Sequence, residues 1–186
     1  MRNLCALLFG LVILVLTARC GGDDGTSLVE PADLLPEDAE ISGWYWDGTP
    51  MEAMDQASLY DLIDGGAEEF VERGFVSGVL HSYRGALAGT VATMELFIAD
   101  QGTASNAKSV YDRRADRLPF AEDISVGYVE EARIDEATGL DTVVLDFWQD
   151  RFYVQATLEP RAAAPDLAQQ TTIQFAENVS QAILEG

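Results

Sequence analysis

Two alternating runs, SGVLHSYRG at 77–85 and TVATMELFIAD at 90–100, stand four residues apart and constrain this chain more than any other feature. Period-two alternation gives a strand two distinct faces, and so short a link cannot make the crossover that parallel neighbours need. The runs therefore predict an antiparallel hairpin. Segments 124–135, 140–149 and 151–160 also read as strands, the last two joined tightly at Gln149 and Asp150. Two other stretches carry the helical period instead. One is 103–117, with Ala107, Val110, Tyr111 and Leu118 along one side; the other is 166–185, with Ala168, Thr172, Phe175, Ala176, Val179, Ala182 and Ile183. Helices set between runs of hairpins give an α+β fold, a mostly antiparallel sheet of about five strands or more with about three helices packed on a face.

The third helix is expected at LYDLIDGGAEEFVERGF, residues 59–75. Ser58 with Asp61 three residues on resembles a capping box, the apolar positions from Leu59 to Val71 recur at helical spacing, and Gly74 stands where a left-handed cap belongs. Gly65 and Gly66 fall in the middle, where each glycine costs about 1 kcal/mol relative to alanine. With Gly66 on the apolar face, that loss points to a close approach to the backbone by a strand, an aromatic ring or a ligand. A turn at "DGG" joining two strands is the competing reading, at the expense of both caps. Asp64, Glu68 and Glu72 step by four along one stripe, with Glu69 and Arg73 as the attractive pair at the same spacing. This stripe is either a solvated acidic face or, through Asp64 and Glu68, a place for a divalent cation or polar ligand, although no calcium-loop spacing is present.

The N-terminus reads as an address. Arg2 precedes a run of apolar and small residues at 4–16, short for a membrane span and suited to a signal-peptide core, followed by LTARC and GGDDGTS. The expected organisation is a signal peptide at 1–19, a flexible tether at 20–40 around Pro31 and Pro36, and one folded domain at 41–186. Cys20 is the expected lipid-attachment residue, although Arg19 and Thr17 stand where lipoprotein signals prefer a small residue and a leucine. The partner this implies is a membrane, reached through the N-terminal lipid, and the expected location is the cell envelope. Cys5 and Cys20 are the only cysteines, so the expected domain has no disulfide and no thiol nucleophile. The net charge is −21, from 32 acidic against 11 basic residues, which argues against a nucleic-acid or anionic-lipid surface.

The order Leu59-Tyr60, Ile63 to Glu68, Phe70, Gly74-Phe75, with the Tyr83 strand and DFWQDRFYVQ after it, resembles a family of uncharacterised bacterial exported proteins and lipoproteins. That resemblance implies a fold and an envelope location; the family has no assigned reaction, substrate or cofactor.

Signs of catalysis are sparse. His81 is the only histidine, and it lies in a strand with no nucleophile elbow nearby. One histidine without cysteines makes no typical zinc site, and GALAG at 85–89 lacks the ending of a phosphate loop. Asp64 and Glu68 lie one helical turn apart, but neighbours on one helix face do not flank a glycosidic bond. No metal or cofactor is expected. Aromatic residues permit binding: Trp44, Tyr45 and Trp46 run together, with Trp44 and Trp46 expected on one side, and Trp148, Phe152 and Tyr153 bracket the tight hairpin. The candidate binding residues are Tyr60, Asp64, Gly65, Gly66, Glu68, Trp148 and Tyr153. The expected function is a non-enzymatic binding or assembly role with a small-molecule or protein partner. The alternative is an acidic-residue hydrolase or a divalent-cation-binding protein using Asp64 and Glu68.

Overall fold

The computed structural model describes residues 29–63, 65–136 and 141–186. Cys20, the signal segment and Asp64 lie outside the described residues. The expected hairpin is present and longer than its pattern: β3 (Ser77–Leu87) pairs antiparallel with β4 (Thr90–Asp100) along its whole length. Only Ala88 and Gly89 make the turn, both at positive φ, which matches the right-handed twist of the flanking strands. β7 (Val143–Gln149) and β8 (Phe152–Glu159) form the second hairpin around Asp150, also at positive φ.

Among the described residues one antiparallel sheet of eight strands and four α-helices make an α+β fold. β8 returns beside β4, so the sheet runs β1, β3, β4, β8, β7, β6, β5. β1 (Tyr45–Trp46) and β2 (Met51–Ala53) both pair with β3 and form one interrupted edge. At the other edge, the segment expected as one strand at 124–135 splits into β5 (Glu122–Ile124) and β6 (Glu131–Asp135), with Gly127 at positive φ between them.

Helices cover both faces of the sheet, not one. On the first face α4 (Pro165–Glu185) buries Ala168, Thr172, Phe175, Ala176 and Val179 against Tyr83, Met94, Leu145, Phe147 and Val154. On the second, α1 (Gln56–Leu62), α2 (Ala67–Val71) and α3 (Ala104–Arg114) enclose Leu59, Phe70, Val110 and Tyr111 with Phe97 and Tyr153. The two clusters form because alternate residues of β4 and β8 face opposite ways. No helix of the described residues is long and apolar enough to cross a membrane.

One more expectation needs correction. The expected tether is packed from about Val29 onward: Leu34, Leu35 and Ile41 are buried in the first cluster, and the Pro36 carbonyl accepts hydrogen bonds from Tyr83 and the Trp46 indole. Apolar pairs set between prolines found a partner in the sheet, which composition does not reveal. The aromatic run, by contrast, keeps simple alternation: Trp44 and Trp46 both lie toward the first face, and Tyr45, opposite Arg84, points the other way. Trp44 is buried edge-on against Phe175, directly over Gly85, where a Cβ would come within 2.5 Å of the indole. Trp46 lies edge-on to His81 on that same face, partly exposed because β1 is the edge of the sheet.

Candidate functional site

The glycine pair breaks the expected helix in two. α1 starts one turn earlier than expected, with Asp55 as its N-cap; Ser58 is its partner in the capping box, accepting from the Asp55 backbone while Asp55 accepts from the Ser58 N–H at 2.8 Å. The helix ends at Leu62. Gly65 and Gly66 then take φ values of 69° and 122°, and Gly66 leads into α2. Neither reading holds as made: the glycines form a turn where one unbroken helix was expected, but the turn joins two helices and not two strands. No strand or aromatic ring presses on Gly66: a Cβ there would come 3.2 Å from a terminal nitrogen of Arg117.

This break lies beside a half-open cavity of about 260 Å³ between the helical layer and the second face of the sheet. Leu62, Ile63, Phe70, Leu80 and Phe97 give it apolar walls. Glu95, Gln155, Arg114 and Arg117 supply its polar lining. Glu95 and Gln155 come from β4 and β8 and are diagonal neighbours on one face, since Glu95 pairs with Thr157 and Phe97 with Gln155. Such neighbours stand about 7–8 Å apart.

The two arginines reach the cavity for different reasons. Arg114 continues the buried stripe of α3 after Val110 and Tyr111, and three neighbours hold its guanidinium. It donates to the Tyr153 hydroxyl at 2.8 Å, to Glu69 at 3.3 Å and to the Gln155 carbonyl oxygen at 3.3 Å. Arg117, in the 3₁₀ turn that follows α3, is half-exposed and grips both oxygens of Glu69 at 2.9 and 3.1 Å. Glu69 thus pairs across the layer with α3. The expected partner, Arg73, donates instead to the Glu69 backbone carbonyl and lies 3.5 Å from Glu72. Burial opposes the charge on Arg114, yet Tyr153, Glu69 and Asp146 hold its pKa above the ordinary value.

Behind Tyr153 a buried chain of polar groups continues. Its hydroxyl donates to Asp146 at 2.9 Å, and Asp146, fully buried, accepts from Arg133 at 2.7 Å. Arg133 also donates to the Tyr111 carbonyl and stacks 4.0 Å over that ring. Burial pushes the Asp146 carboxyl upward, against the pull of Arg133 and Tyr153. Removing one member of such a pair leaves an uncompensated buried charge, which locks the order Arg133, Asp146, Tyr153, Arg114.

Glu95 is different: no hydrogen bond or ion pair joins it to a described residue. Partial desolvation against the cavity wall, helped by the Glu159 carboxylate, raises its pKa above the usual carboxylate value, although the residue stays exposed to solvent. The cavity therefore offers one acceptor that no described residue occupies. It also contains donors. The Gln155 oxygen is occupied by Arg114, which leaves the amide nitrogen free among the described residues to donate.

Of the expected binding residues, Gly65 lines the cavity and Gly66 adjoins it through Arg117. Tyr153 is fully buried and acts through Arg114. Trp148 packs against the second core cluster, its indole N–H without a partner. Tyr60 and Glu68 are exposed on α1 and α2, outside the cavity lining. The residues missed are Glu69, Glu95, Arg114, Arg117 and Gln155. A signal for one was present: Arg114 is a charge on the apolar stripe of its helix. Among the described residues no cluster of three metal-capable side chains occurs.

No family model matches the chain, and no curated protein matches it. Its fold is similar to the crystal structure of the extracellular domain of PknH from Mycobacterium tuberculosis, with a TM-score of 0.51 and 12% sequence identity. The similarity covers 81% of this chain and 94% of that one. Identity this low speaks for the fold alone.

Proposed function

We propose that the chain is an exported binding domain, tethered to the cell envelope through Cys20, whose site is the cavity at the Gly65–Gly66 break. The observation that carries the binding role is the half-open cavity itself, in which apolar walls stand beside Glu95, an exposed carboxylate that no described residue pairs with. A ligand donor seated in the cavity would give this carboxylate a direct charge-assisted hydrogen bond in place of water. Export and tethering rest on the apolar run at 4–16, on Cys20 and on the family resemblance, and the PknH likeness is to an extracellular domain. Glu68, exposed outside the cavity, is poorly placed to share hydrolysis with a group inside it.

Native mass spectrometry of the full protein purified from its own host tests the binding role. The expected spectrum carries a retained low-mass molecule, lost in a folded Leu80→Trp variant that fills the cavity. Protein recovered without any adduct overturns the reading. Cys20→Ser should move the protein from the detergent phase to the aqueous phase, and equal partitioning of the two forms would remove the tether.

A further inference from the structure

Resting on that cavity as the binding site, we infer that its ligand is a small zwitterion of the amino-acid type, an ammonium and a carboxylate on one apolar body. Three features of the lining point to this class together.

The first is the acceptor. Glu95 stands on β4 with Ser82 and Thr157 as its cross-strand neighbours and has no cationic partner among the described residues. A ligand ammonium supplies the charge-assisted hydrogen bonds it lacks. The second is the pair of donors. Arg114 occupies the Gln155 carbonyl oxygen at 3.3 Å, which turns the amide nitrogen away from that bond, and Arg117 holds Glu69 through Nε and one terminal nitrogen only. Its other terminal nitrogen makes no hydrogen bond to a described residue. A ligand carboxylate fits between these donors. The diagonal spacing of Glu95 and Gln155, about 7–8 Å, leaves room for the head of an amino acid between acceptor and donor.

The third feature is the apolar remainder. Leu62, Ile63, Leu80 and Phe97 offer no polar group, so the rest of the ligand is aliphatic or aromatic. Single-headed molecules fit less well. An anion would meet the like charge of Glu95 and would enter against the field of a chain with net charge −21. A simple amine would satisfy Glu95 but leave the Gln155 and Arg117 donors unused. A zwitterion has no net charge, so the acidic surface does not oppose its entry.

The test is a titration of the ¹⁵N-labelled protein with three probes of similar shape: L-leucine, isopentylamine and 4-methylpentanoate. L-Leucine should shift the Gly65 and Gly66 amides saturably and bind at least tenfold more tightly than either single-headed probe. Glu95→Gln should weaken L-leucine at least tenfold without weakening 4-methylpentanoate, the fold being checked by the dispersion of the same spectra. 4-Methylpentanoate binding as well as L-leucine, or Glu95→Gln leaving L-leucine unchanged, overturns the inference. A retained host molecule that is not a zwitterion, with no shifts from the three probes, overturns this ligand class while the binding reading stands. No retained molecule and no shifts overturn both.

Discussion

Gly66 holds φ at 122°, a conformation that side chains resist whatever space surrounds them. Gly66→Ala should therefore destabilise the protein by about 1–3 kcal/mol in urea titration, although alanine is the better helix former. The cause is backbone strain, sharpened by Arg117 at 3.2 Å, and not overpacking on a buried helix face. His81 makes a second residue-scale case. Only 1% exposed, it lies edge-on between Trp46 and Tyr83 with neither ring nitrogen hydrogen-bonded. Burial lowers its pKa below the ordinary value of about 6.5, with Asp47 opposing more weakly. The unfolded chain then takes up a proton at a pH where the folded chain does not. This contribution to stability is complete above about 6.5, falls as the pH drops towards the folded value, and is level below it. Thermal melts of His81→Phe, which keeps an aromatic ring in place, should lose that part of the pH dependence.

Among the elements, the split of one expected helix into α1 and α2 matters most, because an unbroken helix would carry no loop against the cavity. Its entry is set by Asp55, whose carboxylate accepts from the Ser58 backbone. That bond, with the Ser58 hydroxyl next, lowers the Asp55 pKa. Its stabilisation is present above the usual carboxylate range and is lost as acid protonates the cap. Asp55→Ala should accordingly lower the melting temperature at neutral pH and have little effect once the pH lies below the Asp55 pKa of the folded protein. Equal losses at both pH values would separate the residue from the cap. At this scale much was readable beforehand. The hairpin of β3 and β4, the start of α3 near Thr103, and α4 follow from local periodicity and caps. The division of β5 from β6 and the break at Gly65 do not, since a glycine in a periodic run is compatible with a close contact or a turn, and only the packed neighbours choose.

For the whole molecule, the decisive addition is the segment around Leu34, which composition assigned to a tether and the fold uses to cover the first face of the sheet. Leu34 is 1% exposed, so Leu34→Ala should cost about 2–5 kcal/mol in urea titration, where a residue in a free tether would cost almost nothing. The acidic excess belongs to composition and could be read directly. So could the strands of the two hairpins, α3, α4 and the α+β class, because each rests on side-chain periods and caps within a short window. The candidate cavity was only partly legible. Gly65 and Gly66 drew notice as a local anomaly, but Glu95, Arg114, Arg117 and Gln155 come from β4, α3, the turn after it and β8. They meet because β8 pairs with β4 and because Arg114 is held by Tyr153 and Glu69 from other elements. Sequence by itself determined the elements and the surface charge, which are local or additive. Tertiary structure alone decided which unpaired acceptor and which donors share one cavity, because pairing between distant strands and burial of their side chains is not written in any one segment.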